Sequence, residues 1–139
     1  MTTEDATSEH TTDPGEVVTA FIRAVERLDV EAAVAHLHPE VSYENMPITP
    51  IVGAEAVAGA LSSFLGPASA VEWPVSRQVV AGRTVVNERL DRFQIGDGWL
   101  ELPVAGVFEV DEAGKITLWR DYFDLGTYQR QLVELTGEG

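Results

Sequence analysis

From residue 70 to residue 124 apolar and polar positions alternate in long runs, cut three times by turn sequences, and this stretch most restricts the fold. The turns are Ala81-Gly82-Arg83, Gly96-Asp97-Gly98 and Asp111-Glu112-Ala113-Gly114, where glycine tolerates positive φ and aspartate bonds nearby backbone. They delimit four predicted strands, at about 70–81, 84–95, 99–110 and 115–124, joined as a meander. A sheet with one apolar face needs a cover, and the segments before it supply one. Asp13-Pro14-Gly15-Glu16 is a helix start, with Asp13 as cap, Pro14 at the first helical position and Glu16 three residues after the cap. Val17, Val18, Phe21, Val25 and Leu28 follow at helical spacing. Asp29 caps a second, shorter helix predicted to run through Leu37, and a third begins near Gly53 and ends at Gly66-Pro67. Between them Val41–Asn45 alternates with period two before Pro47 and Pro50, and Leu125 to Thr136 suits a final short helix. The class is α+β: a curved, mostly antiparallel sheet packed by three to four helices.

Composition bounds the rest. With 139 residues and 45% hydrophobic content, the chain makes one domain with a real core. We read residues 14–139 as that domain and the polar, acidic 1–13 as a disordered tail that buries too little to offset its ordering entropy. A net charge of -14 repels phosphate backbones and anionic lipids, so nucleic acid and membrane surfaces are not expected partners. Cysteine is absent, which removes disulfides, thiolate nucleophiles and Cys-based zinc sites, and fits a reducing cytoplasm. No window approaches the ~20 apolar residues of a membrane span.

Side chains alternate faces along a strand, so parity shows which polar groups keep apolar company. Val85, Asn87, Arg89, Asp91, Phe93 and Ile95 share one face; Thr84, Glu88, Arg92 and Gln94 dominate the other. In the last strand Thr117, Trp119, Asp121 and Phe123 share a face, which places Asp121 between two aromatic rings. In the early strand Val41, Tyr43 and Asn45 share a face. Burying a charge costs several kcal/mol unless partners compensate, and Arg89 between Asp91 and Asp121 supplies compensation. A structural triad that only fixes strand register is the plainer alternative.

These residues fall in motifs that resemble the limonene-1,2-epoxide hydrolase family, within the cone-shaped folds shared by nuclear transport factor 2, ketosteroid isomerase and polyketide cyclases. The motifs are Tyr43-Glu44-Asn45-Met46-Pro47, Glu88-Arg89-Leu90-Asp91, Gly106-Val107-Phe108-Glu109-Val110 and the run Lys115 to Asp124, and the resemblance covers roughly residues 14 to 126. It implies that Asp121 is a general base, that Tyr43 and Asn45 help hold the attacking water, that Asp91 is the general acid to the epoxide oxygen, and that Arg89 bridges the carboxylates. Ring opening needs exactly such a pairing of an activated nucleophile and a proton donor. Two carboxylates in an apolar pocket resist double ionisation and titrate as a coupled unit. Water attacks directly, with no covalent ester, no metal and no cofactor, in keeping with the lack of a Gly-x-Ser-x-Gly elbow. The resemblance also implies a small apolar epoxide as substrate, a homodimer, and a pocket wall of Ile22, Val25, Phe64, Phe93, Leu102, Val104 and Phe123, each of which also suits ordinary core.

Some residues fall outside this scheme. Pro103 inside a strand implies a bulge or an edge. His36-Leu37-His38 lacks further metal ligands at suitable spacing and reads as a helix end. Asp124 reads as a strand-end or turn acid, Trp73 and Trp99 as isolated, and Trp119 as core or pocket wall. Two other functions suit the fold class: an isomerase or cyclase acting on an enolisable ketone, and a non-catalytic ligand-binding module. Arg89 argues against the first, because a guanidinium beside the base weakens proton abstraction from carbon.

Overall fold

The computed structural model describes residues 11–137, and the first ten residues of the expected tail lie outside it. Thr11 to Asp13 are tied down: the Arg83 guanidinium donates to the Thr12 carbonyl, and Asp13 accepts from the Glu16 amide at 3.0 Å, capping helix α1 (Pro14–Glu26). Asp29 caps α2 (Val30–Val34) in the same way through the Ala32 amide. This helix stops short of the predicted Leu37 because the Ile116 amide donates to the His36 carbonyl and draws the chain into the sheet. Strand β1 (Leu37–Met46) begins there, so Leu37 and His38 are strand rather than helix end. His38 is used locally, its Nδ1 accepting from the Glu40 amide at 2.9 Å.

After β2 (Ile51–Val52), Gly53 turns the chain at φ 103° into α3 (Ala54–Leu65). The first predicted long strand is two, β3 (Ala70–Glu72) and β4 (Val75–Ala81). Pro74 breaks it: proline has no amide to give the ladder, and the preceding Trp73 amide donates instead to the Glu26 carboxylate at 2.7 Å. Both pieces pair antiparallel with β5 (Thr84–Ile95). Then come β6 (Gly98–Val110), β7 (Ile116–Tyr122) and α4 (Leu125–Thr136), which Asp124 caps through the Thr127 amide. The sheet order is β2-β1-β7-β6-β5-β3, with β4 also on β5. All pairs are antiparallel except β1 with β7.

Pro103 marks an edge. The β5–β6 ladder runs through it without a bulge, whereas the β6–β7 ladder starts only at Ala105. Along the open stretch of β6 the Gln131 amide of α4 replaces a strand, accepting from the Glu101 N–H at 2.7 Å and donating to its carbonyl at 2.8 Å. The core lies between α1, α3 and the concave sheet face, centred on Phe21, Trp73, Phe108 and Trp119, all essentially inaccessible to water. Trp119 is its hub, edge-on to Phe21 at 4.9 Å and stacked on Tyr43 at 3.8 Å between ring centroids.

Candidate active site

Register explains how residues far apart in sequence meet. Asn45 of β1 pairs with Asp121 of β7, Asp121 with Gly106 of β6, Gly106 with Asn87 of β5, and Asn87 with Gln78 of β4. One row across five strands thus carries Asn45, Asp121, Asn87 and Gln78, interrupted by a glycine. The gap is occupied: a Cβ on Gly106 would lie 2.5 Å from Nη1 of Arg89 and 3.0 Å from Oδ1 of Asp121. The missing side chain lets the Arg89 guanidinium reach across β6 to β7.

Arg89, Asp91, Asp121 and Asn87 are the buried polar residues among those described, each 2–4% exposed. Arg89 grips Asp91 as a fork, Nε to Oδ1 at 2.9 Å and Nη2 to Oδ2 at 3.0 Å, and Nη2 also reaches Oδ2 of Asp121 at 3.0 Å. Its Nη1 donates to Oδ1 of Asn87 at 3.1 Å, and its flat cation sits 5.0 Å from the Trp73 ring centroid. Burial works against the charge on Arg89, but the charges of Asp121 and Asp91 outweigh that and hold it protonated. Burial raises the Asp91 pKa from the ordinary 3.8 to about 6, against the opposing pull of Arg89. Burial raises Asp121 as well, again opposed by Arg89, and the Trp119 indole N–H also favours its charged form. That N–H does not reach hydrogen-bond geometry: Trp119 Nε1 and Asp121 Oδ1 are both buried without a partner among the described residues. One cation and two anions leave an excess negative charge in a dry site, so the pair as a unit holds a proton to higher pH than free aspartate. The Tyr43 phenol is driven well above its usual range, by burial first and then by Asp121. It acts as a neutral hydroxyl.

A cavity of about 190 Å³ opens on this cluster. Tyr43, Asn45, Asp91 and Asp121 supply its polar groups, and Phe64, Phe93, Leu102, Val104 and Phe123 form much of its wall, as the sequence leads one to expect. Ile22 and Val25 do not line it. They are buried core on α1, and Ile22 borders instead a separate depression together with Trp73. Arg89 lies behind the two carboxylates rather than in the wall. Trp73 and the rim residues Ile48, Ile51, Ala60, Leu125 and Tyr128 are the wall that sequence reasoning misses. Pro74 inside a predicted strand was a usable signal for Trp73, since a break there turns the preceding side chain out of the alternation. The rim residues come from a loop, from helix faces and, for Ile51, from a two-residue strand too short for parity to be read. Among the described residues there is no group of three or more His, Asp or Glu placed to hold a metal.

Fold and site together define a class: a cone-shaped α+β domain that buries two carboxylates, bridged by an arginine, at the foot of an apolar cavity. The model of the limonene-1,2-epoxide hydrolase catalytic domain matches residues 12–134. The chain is 38% identical over 108 residues to the epoxide hydrolase EphG of Mycobacterium tuberculosis, covering 78% of this chain and 71% of that protein. The solved structure of an LEH-like epoxide hydrolase from M. tuberculosis superposes with a TM-score of 0.74 at 35% identity, over 89% of this chain and 95% of that one. A SnoaL-like polyketide cyclase from Shewanella denitrificans has a TM-score of 0.74 over 87% of this chain and 97% of its own, but at 14% identity it shows the fold alone. The chain therefore belongs to the limonene-1,2-epoxide hydrolase family and is an epoxide hydrolase.

Proposed function

We propose that the protein adds water to a small apolar epoxide in one step, giving a vicinal diol without a covalent intermediate. Asp121 is the general base, Tyr43 and Asn45 hold the attacking water with it, Asp91 protonates the leaving oxygen, and Arg89 keeps both carboxylates in place. The observation that carries this assignment is the asymmetry of the pair. Both oxygens of Asp91 are engaged by the guanidinium, whereas Oδ1 of Asp121 is buried without a partner and free to take a proton from water. Burial raises both carboxylates, so the pair can hold a shared proton near neutrality, as a mechanism with one acid and one base requires. As water attacks carbon, its proton passes to Asp121, the C–O bond breaks, and the Asp91 proton ends on the alkoxide oxygen. Solvent then returns the proton from Asp121 to Asp91. A cavity of about 190 Å³ with aromatic and aliphatic walls fits a substrate of roughly one ring with short substituents. The reaction needs no metal or cofactor.

The test is diol formation from a panel of terpene, styrene and cyclohexene epoxides by wild type, Asp121→Asn and Asp91→Asn. Wild-type diol formation at only the uncatalysed rate on every epoxide would end the hydrolase reading. A single turnover in heavy-oxygen water is expected to label the first diol formed; unlabelled diol would point to a carboxylate nucleophile instead.

The working unit is a homodimer in this reading. The convex sheet face supports it, since cross-strand partners Val79 and Val86 are 62% and 43% exposed there, with Tyr122 at 44%. The absence of cysteine is consistent with a cytoplasmic home. No helix among the described residues is long and apolar enough to cross a membrane.

A further inference from the structure

We infer that Asn87 is a positioning residue for the reaction: with Gln78 behind it, it sets the plane and depth at which the Arg89 guanidinium meets Asp91 and Asp121. This rests on the site reading above and extends it to two residues that do not line the cavity.

Arg89 is 3% exposed and its guanidinium can only donate. Nε and Nη2 are spent on the carboxylates, which leaves Nη1 facing the row across the sheet. Its partner there is Oδ1 of Asn87 at 3.1 Å. Because guanidinium N–H groups accept nothing, Asn87 must present its oxygen to Arg89 and its nitrogen the other way. That nitrogen donates to Oε1 of Gln78 at 3.0 Å, and Gln78 Nε2 donates in turn to the Gly15 carbonyl at the start of α1. Each amide's orientation is thus forced by the next, from a helix start through Gln78 and Asn87 to the guanidinium. The Gly106 gap gives the arrangement its room, its absent Cβ lying 3.1 Å from Asn87 Oδ1 and 2.5 Å from Arg89 Nη1.

The consequence is directional. A guanidinium anchored on one side by a neutral acceptor cannot slide toward either carboxylate, so it divides its hydrogen bonds between them. An anion at position 87 would compete with Asp91 and Asp121 for the same cation. An apolar side chain there would leave Nη1 unpaired and free the fork to rotate. Besides burial, the groups that set the carboxylates' titration are Arg89 from β5, the Asp121 charge acting on Asp91, Trp119 from β7 and Glu26 from α1.

Asn87→Leu and Gln78→Leu test this, with Gln78→Glu as the conservative control that keeps an acceptor for Asn87. Two readouts are taken: kcat and KM on the best epoxide of the panel, and the carbon-13 titration of the Asp91 and Asp121 carboxyls, which needs no turnover. Asn87→Leu is expected to lower kcat by about tenfold or more with KM within about threefold, because it acts on the acid–base pair and not on the wall. The carboxyl midpoint is expected to move up by about half a pH unit or more as the cation's grip weakens. Gln78→Leu should do the same to a smaller degree, and Gln78→Glu, which keeps the acceptor for Asn87, should hold kcat nearer the wild-type value than Gln78→Leu does. Leucine variants that unfold at lower temperature but keep wild-type kcat and carboxyl midpoint would overturn the proposal. If Asn87→Leu does not fold, Gln78→Leu against Gln78→Glu decides it. If wild type turns over no epoxide, the function reading fails while the titration still decides the role of Asn87.

Discussion

At the scale of single residues, the chemistry comes from charge in the wrong solvent. Asp121 is buried, one of its oxygens has no partner among the described residues, and a like charge sits on the other side of Arg89. Removing either negative charge relieves that conflict, as site residues held against stability often do. Asp121→Asn is therefore expected to lose about 10²–10⁴-fold in kcat while melting at a higher temperature than wild type at pH 8, by calorimetry. A lower melting temperature would show that Asp121 is held there for stability. Asp91 gives a signed pH prediction. Its folded pKa, about 6, lies above the ordinary 3.8, so the native state binds more protons across that interval. By linkage its contribution to stability is fully present below about pH 4 and is lost as pH rises through 6. The melting temperature of Asp91→Asn minus that of wild type is thus expected to grow from pH 4 to pH 7. Carboxylates remote from the pair cancel in that difference, so a flat difference would refute the raised pKa of the coupled unit. Tyr43, Asn45, Arg89, Asp91 and Asp121 were legible in the sequence because each lies on the apolar parity of a strand. Asn87 lay on the same parity, but a lone amide announces no chemistry until its partners are known.

At the scale of elements, the site is built by strand register and by what the strands leave out. Gly106 and Gly98 both lie on β6, and both would bring a new Cβ against a side chain, Gly106 against Arg89 and Gly98 against Leu135. The first contact is with a guanidinium pinned by four hydrogen bonds, the second with the tip of a leucine on α4, a helix with no buried residue. Gly106→Ala is expected to cost ~1–3 kcal/mol, as overpacking does, and to reduce kcat severely. Gly98→Ala should cost well under that, since Leu135 can turn aside. Denaturant titration of both variants checks the contrast. Gln131 holds α4 on the open edge of β6, and Tyr128 of the same helix lines the cavity. Gln131→Ala is expected to raise KM more than it lowers kcat, measured by steady-state kinetics, because it loosens a wall without touching the acid–base pair. Helix starts and glycine turns were readable locally, since caps and positive φ are local matters. The early end of α2 was not, because Ile116 decides it from far along the chain, whereas the split at Pro74 had a local signal in the proline itself.

At the scale of the molecule, a concave sheet face closed by helices protects the site, while the convex face leaves apolar side chains in water. Val79 and Val86 are expected to be covered in a dimer, so light scattering should give about twice 15.1 kDa. Val79→Arg combined with Val86→Arg should return the single-chain mass, and a wild-type monomer at high micromolar concentration would refute the dimer. The sequence by itself determined the layer architecture, the three glycine-containing turns between strands and the inward facing of five polar residues, because periodicity and turn chemistry are written in near neighbours. Only the tertiary structure decided that Asn45, Asp121, Gly106, Asn87 and Gln78 form one row, that Ile22 and Val25 stay in the core and out of the cavity wall, and that α4 serves as the missing strand of β6. Those facts depend on which strands pair and in what register. Register is fixed by packing the whole core at once.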